Sequence, residues 1–150
     1  MSIAKWAAPA SAITLATTAL NSLAAAAWSD QLTEHDNTTD RYLYGDFDLL
    51  LGADLTAAAG SPFVGLYLIP TLDGTNYPNP PSGTGAAPGS YFAGSFMANA
   101  SAVFRRGVLR GVVLPPLKWR AKLFHSLHGS TAFASSGNVL TFRPYNEEVV

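Results

Sequence analysis

Cysteine is absent from this sequence and charge is scarce: 13% of the residues are Asp, Glu, Lys or Arg, about half the usual share of a globular protein. The first absence excludes a disulfide framework, a thiolate metal site and a thiol nucleophile, and fits assembly in a reducing cytoplasm. The second points to a surface covered by something other than water, such as neighbouring subunits. No apolar run is long enough to cross a bilayer. The opening "MSIAKWAAPASAITLATTALNSLAAAAW" has Lys5, an Ala-rich stretch and an A-x-A-like site near Ala26. Pro9 and the Ser and Thr positions interrupt its apolar core, so it is read as part of the working protein rather than as a secretion signal. Nucleophile elbow, phosphate loop and dinucleotide fingerprint are all missing, which leaves no enzyme signature and no implied cofactor.

What is present reads as one domain over residues 1–150, long enough to bury roughly 70% of the surface of its unfolded chain. The net charge of −1 hides a segregation: residues 1–73 hold two bases and eight acids, residues 74–146 hold seven bases and no acid, and Glu147 and Glu148 follow. Two readings are open. The halves form different surfaces that attract copies or partners, or opposite charges pair across strands inside one molecule.

Periodicity predicts strands. In "RYLYGDFDLLL", Leu43, Gly45, Phe47, Leu49 and Leu51 fall on one side, with Tyr42, Tyr44, Asp46 and Asp48 on the other. "FVGLYLIPTL" sends Val64, Leu66, Leu68 and Leu72 one way; Pro70 favours an edge or bulge, and Asp73-Gly74 signals a turn. "AITLATTAL", "SYFAGSFMA", "AVFRRGVLRGVVL", "LKWRAKLFHSLHG" and "NVLTFRPY" are further strands. "NSLAAAAW" is either a short helix or an irregular crossing. Pro115-Pro116 marks a corner where the chain changes sheets. Together these predict an all-β fold: an antiparallel β-sandwich or jelly roll of seven or eight strands. The Gly/Pro-rich segment 73–90, with four Gly and four Pro, is its one long loop.

Several constellations look chemical and have plainer explanations. Asp46 and Asp48 share a strand side about 7 Å apart, near the spacing of an inverting glycosidase pair, but two acids on a wet strand side look the same. His125 and His128 point to opposite sides of a strand and cannot easily share a metal ion. "SDQLTEHDNTTD", with His35, lacks the glycine and spacing of a calcium loop and is read as a solvated acidic loop. Asn37-Thr38-Thr39 and Asn99-Ala100-Ser101 match a glycosylation sequon that matters only in a secretory compartment.

The most telling stretch is "LKWRAKLFHSLHG". As a strand it sets Lys118, Arg120 and Lys122 outward and Leu117, Trp119, Ala121 and Leu123 toward the core. Nucleic acid would call for stacking aromatics beside the cations, and only Phe124 joins that side, so direct nucleic-acid binding is not expected. A protein-docking surface fits better, with a merely solvated edge strand as the plainer alternative. The candidate protein contacts are Arg105, Arg106, Arg110, Lys118, Arg120 and Lys122 on a basic surface over 105–122. Tyr77, Pro80 and Pro81 in the loop, and an extended N-terminal arm over 1–12, complete them. Charge reversal at Lys118, Arg120 and Lys122 is expected to leave the fold intact.

The succession "SAITLATTALNSL", "DNTTDRYLYGDFDLLLGADL", "GLYLIPTLDGTNYP" and "RGVLRGVVLPPLKWRAKLFHSLHGSTAFASSGNVLTFRPYNEEV" resembles the jelly-roll capsid cement, or decoration, proteins of short-tailed bacteriophages over nearly the whole chain. The resemblance implies a non-enzymatic virion protein, assembled in the host bacterial cytoplasm, that binds the phage major capsid protein. It would staple neighbouring subunits against internal DNA pressure, commonly as a dimer or trimer, without metal, cofactor or membrane. A tail or neck component of the virion is the nearest alternative. A carbohydrate-binding β-sandwich, using Tyr42, Tyr44 and Tyr67 as exposed aromatics, and last a small hydrolase, come from other classes.

Overall fold

A computed structural model describes residues 4–57, 62–79, 91–99, 102–127 and 131–149. Pro80, Pro81 and His128 lie outside them, as does the loop beyond residue 79. The described chain forms strands and no helix: β1 (Ala4–Trp6), β2 (Ile13–Ala16), β3 (Glu34–Asp36), β4 (Tyr44–Thr56), β5 (Phe63–Pro70), β6 (Phe92–Met97), β7 (Val103–Val113), β8 (Lys118–Ser126), β9 (Val139–Tyr145) and β10 (Glu147–Val149). Two four-stranded antiparallel sheets, ordered β2-β9-β4-β7 and β3-β8-β5-β6, pack against each other, and β1-β10 forms a separate ribbon. The expected all-β sandwich is what the chain adopts. Its pairing is nested: β2 lies beside β9, β3 beside β8, β4 beside β7 and β5 beside β6.

Alternation builds the core. Phe47, Leu49 and Leu51 of β4, Phe142 of β9 and Trp119 and Leu123 of β8 are almost wholly buried. Phe47 stacks on Phe142 with ring centroids 5.3 Å apart, and Trp119 meets Phe142 edge-on at 5.2 Å. These rings join the two sheets, and each aromatic contact adds about 0.5–1.5 kcal/mol beyond its burial. The corner at Pro115-Pro116 does carry the chain from one sheet to the other. Asn37 pins it: its Nδ2 donates to the carbonyls of Tyr42 and Pro115, and its Oδ1 accepts from the Tyr42 amide.

Three local expectations are corrected, and two points left open by the sequence take a definite form. The acidic stretch is not simply a loop, because Glu34–Asp36 forms β3 against Lys118–Arg120 of β8. Leu43 and Leu72 are exposed, at 51% and 92%, because each lies just outside its strand, where the period no longer applies. Tyr67, predicted on an exposed side, is buried, since Trp28 packs against it at 4.7 Å and against Phe124 at 4.9 Å. "NSLAAAAW" takes the irregular crossing, with positive φ at Ser22 and Ala26; its continuation runs along β8 through bonds such as Ser29 N to Leu123 O and Leu32 N to Ala121 O. Finally, the described part of the N-terminal arm is folded down: Ala7 and Ala10 donate to the carbonyls of Asn146 and Pro144.

Candidate interaction surfaces

The alternation predicted for β8 holds, but its cations are not a free docking stripe. Ladder partners Glu34↔Arg120 and Asp36↔Lys118 bring the acidic and basic segments side by side. Lys118 Nζ lies 3.7 Å from Glu34 and 3.9 Å from Asp36. Arg120 bonds Gln31 at 2.7 Å and Glu34 at 3.4 Å, and covers the ring of Tyr77. Tyr77 in turn donates its hydroxyl to Glu34 at 2.8 Å. The Tyr77 hydrogen bond chiefly, with the two cations, holds the Glu34 carboxyl below the usual range; burial and that same acceptor push the Tyr77 phenol up to about 12.

Lys122 departs further from expectation. It is only 5% exposed, across the ladder from Tyr67, and burial holds its ammonium below the ordinary lysine value despite Asp30. The reading of an outward lysine at this position is therefore corrected: its direction from the core is right, but that side of the sheet is itself covered.

The cations of β7 lie in the other sheet, so residues 105–122 do not form one basic surface. Arg106 makes a two-pronged contact with Asp48, and Arg105 reaches Asp54 at 3.4 Å. Pairing inside the molecule thus accounts for most of the charge segregation. Arg110 is different: among the described residues neither it nor Arg143 has a carboxylate within 4 Å.

Both arginines line an open groove of about 660 Å³ together with Trp6, Asp46, Gly111 and Tyr145. Trp6 stands 62% exposed, edge-on to Tyr44 at 5.6 Å and Tyr145 at 5.4 Å, while those two tyrosines stack on each other. Asp46 Oδ1 accepts from the Gly111 amide at 2.9 Å and from the Tyr145 hydroxyl at 3.3 Å. Neither Trp6, Arg143 nor Tyr145 was singled out by sequence. The signal available was the alternation in β9, which sends Arg143 and Tyr145 to the side opposite Leu140 and Phe142; only the ribbon partner β10 could have placed Trp6 beside them.

The other chemical candidates have local roles. Asp46 and Asp48 are engaged as described. His125 is buried, its Nδ1 accepting from the Leu127 amide and its Nε2 facing the Thr131 carbonyl at 3.0 Å. Leu127 therefore assigns the proton to Nε2. His35 turns inward onto Trp119 and Phe142, and among the described residues no group of three metal-ligating side chains converges. Asn37 is fully buried with its amide engaged, so the first sequon offers no accessible acceptor.

Large apolar side chains are exposed elsewhere: Val103, Val108 and Val113 on β7, and Phe92 and Met97 on β6. Both strands end their sheets, each with a ladder partner on one side only among the described residues. No protein-family model matches this chain, and no curated protein or solved structure matches it either.

Proposed function

We propose that this chain is a non-enzymatic structural protein of a phage virion that binds the assembled capsid and cements neighbouring major capsid subunits. The observation that carries the reading is the nested pairing of eight strands. Strand orders β2-β9-β4-β7 and β3-β8-β5-β6 support reading the sandwich as a hairpin rolled into two Greek keys, the jelly roll that capsid domains use. With the cations of β8 engaged internally, docking falls to the β6–β7 side, where an eleven-residue edge strand presents exposed valines. An exposed edge of that length invites a partner, and repetition around a closed lattice converts weak contacts into lasting attachment. Self-association as a dimer or trimer uses the same edge.

Co-sedimentation with purified phage capsid shells tests this, with isolated tails and double-stranded DNA as parallel baits. Saturable binding to shells at a fixed ratio per capsid subunit is expected, weakened by Val108→Glu with Val113→Glu at unchanged circular dichroism. Binding to tails alone would favour the tail or neck reading; binding to none, or to DNA alone, overturns the proposal.

A further inference from the structure

The groove beside Trp6 has no part in the core, in the ion-pair networks or in the β6–β7 edge. Its volume of about 660 Å³ lies within the usual size of small-molecule sites. We propose that it binds a sugar ring bearing a carboxylate, stacked on Trp6 and held through its acid group by Arg110 and Arg143. This goes beyond the capsid reading and does not depend on it.

Three features converge on that ligand. Trp6 keeps most of its indole in solvent, yet its orientation is set by two edge-on tyrosine contacts; a ring fixed in advance loses little freedom when the C–H side of a pyranose stacks on it. Neither Arg110 nor Arg143 has a carboxylate within 4 Å among the described residues, although Asp46 is the ladder partner of Arg143, and a guanidinium fork matches a carboxylate in two-pronged geometry. Asp46 is held by two donors on Oδ1, so Oδ2 remains to accept a ligand hydroxyl. Gly111, at φ +66°, turns its amide to Asp46 without adding a side chain to the groove.

Competing ligands satisfy fewer of these groups. A neutral sugar leaves both arginines idle, and a phosphate chain offers neither an apolar ring side to Trp6 nor hydroxyl donors to Asp46. An acidic sugar supplies one anion, several hydroxyl donors and one apolar ring side, which is the complement of what lines the site.

The test is calorimetric titration of the full chain with galacturonate oligomers and their neutral galactose counterparts, with tryptophan emission followed in parallel. Trp28 and Trp119 are buried, so a surface ligand reports through Trp6. Saturable binding of the acidic series is expected. Arg110→Gln with Arg143→Gln should weaken it by about tenfold or more, the worth of hydrogen bonds to a charged group, while leaving neutral binding unchanged. Trp6→Ala should abolish both, and Trp6→Tyr, which keeps an aromatic at the β1–β10 ribbon, should restore part of the affinity. Absence of saturable binding, equal affinity for the two series, indifference to the arginine pair, or preference for a peptide with a free C-terminal carboxylate overturns the proposal. Shell co-sedimentation reads the capsid function separately.

Discussion

The guanidinium of Arg120 lies 4.4 Å from the ring centroid of Tyr77, and both side chains bond Glu34 Oε2. A loop residue, a strand cation and a neighbouring strand's acid thereby close one network over the outer side of β8. The Tyr77 phenol should consequently titrate late, near pH 12, because burial and the Glu34 carboxylate both disfavour phenolate. Comparing the phenolate absorbance of the native chain and Tyr77→Phe isolates this group. Glu34→Gln should lower its midpoint, and an unshifted midpoint would show that the acceptor contributes nothing.

Joint reversal of Lys118, Arg120 and Lys122 should destabilise the fold, contrary to the sequence expectation, and the three positions should contribute unequally. Lys118 and Arg120 are about a third exposed, so each lost pair costs about 1 kcal/mol or less. Lys122→Glu places a carboxylate where only 5% of the residue reaches solvent and should cost roughly 3 kcal/mol or more. Lys122→Met, similar in volume and uncharged, should stay within about 1 kcal/mol of the native chain. Urea denaturation of the single variants checks the order.

Much of the fold was legible because the chain obeys period two where one strand side meets the core. Phe47, Leu49 and Leu51 in β4, and Trp119, Ala121 and Leu123 in β8, all bury as alternation requires. The outer side of a strand was not legible, since a neighbour remote in sequence decides whether it is wet. Trp28 packs on Tyr67 across a gap of 39 positions, and the chain around it turns a predicted wet surface into a buried one. Strands of three residues, such as β1, β3 and β10, are too short for any period. The groove joins Trp6 from one end of the chain to Tyr145 near the other, so no local pattern could announce it.

Gly52 and Asn37 should be intolerant for reasons of space and hydrogen bonding. A Cβ on Gly52 would stand 1.7 Å from the Ser136 carbonyl oxygen, which is backbone and can yield only by moving the chain. Gly52→Ala should therefore cost about 1–3 kcal/mol, or more. Asn37→Ala removes three bonds at the sheet-changing corner and orphans part-buried backbone groups, worth roughly 1–3 kcal/mol for each group left unsatisfied. Thermal unfolding of both variants beside Thr39→Ala, an exposed neighbour, gives the comparison.

Acidification should weaken the fold in two stages. Burial holds both His35 and His125 below the ordinary histidine value of 6.5, with Asp40 and Asp36 opposing it at His35 and the Thr131 carbonyl opposing it at His125. A histidine with a depressed native pKa takes up its proton more readily when unfolded, so stability is full above about pH 6.5 and falls as pH drops below it. The second stage belongs to Glu34, Asp36 and Asp73, whose carboxyls are depressed by hydrogen bonds, Asp73 to about 2. Their contribution is present above their unfolded values near 4 and is lost as pH falls through the native ones; being exposed, it is small. His35→Phe separates the stages. Nε2 of His35 is buried without a partner among the described residues, against Trp119 and Phe142, so an apolar ring of similar shape should be tolerated at pH 7.5 and should flatten the melting-temperature slope between pH 6.5 and 5. The slope that remains is assigned to His125, and a slope unchanged by the substitution would remove His35 from the account.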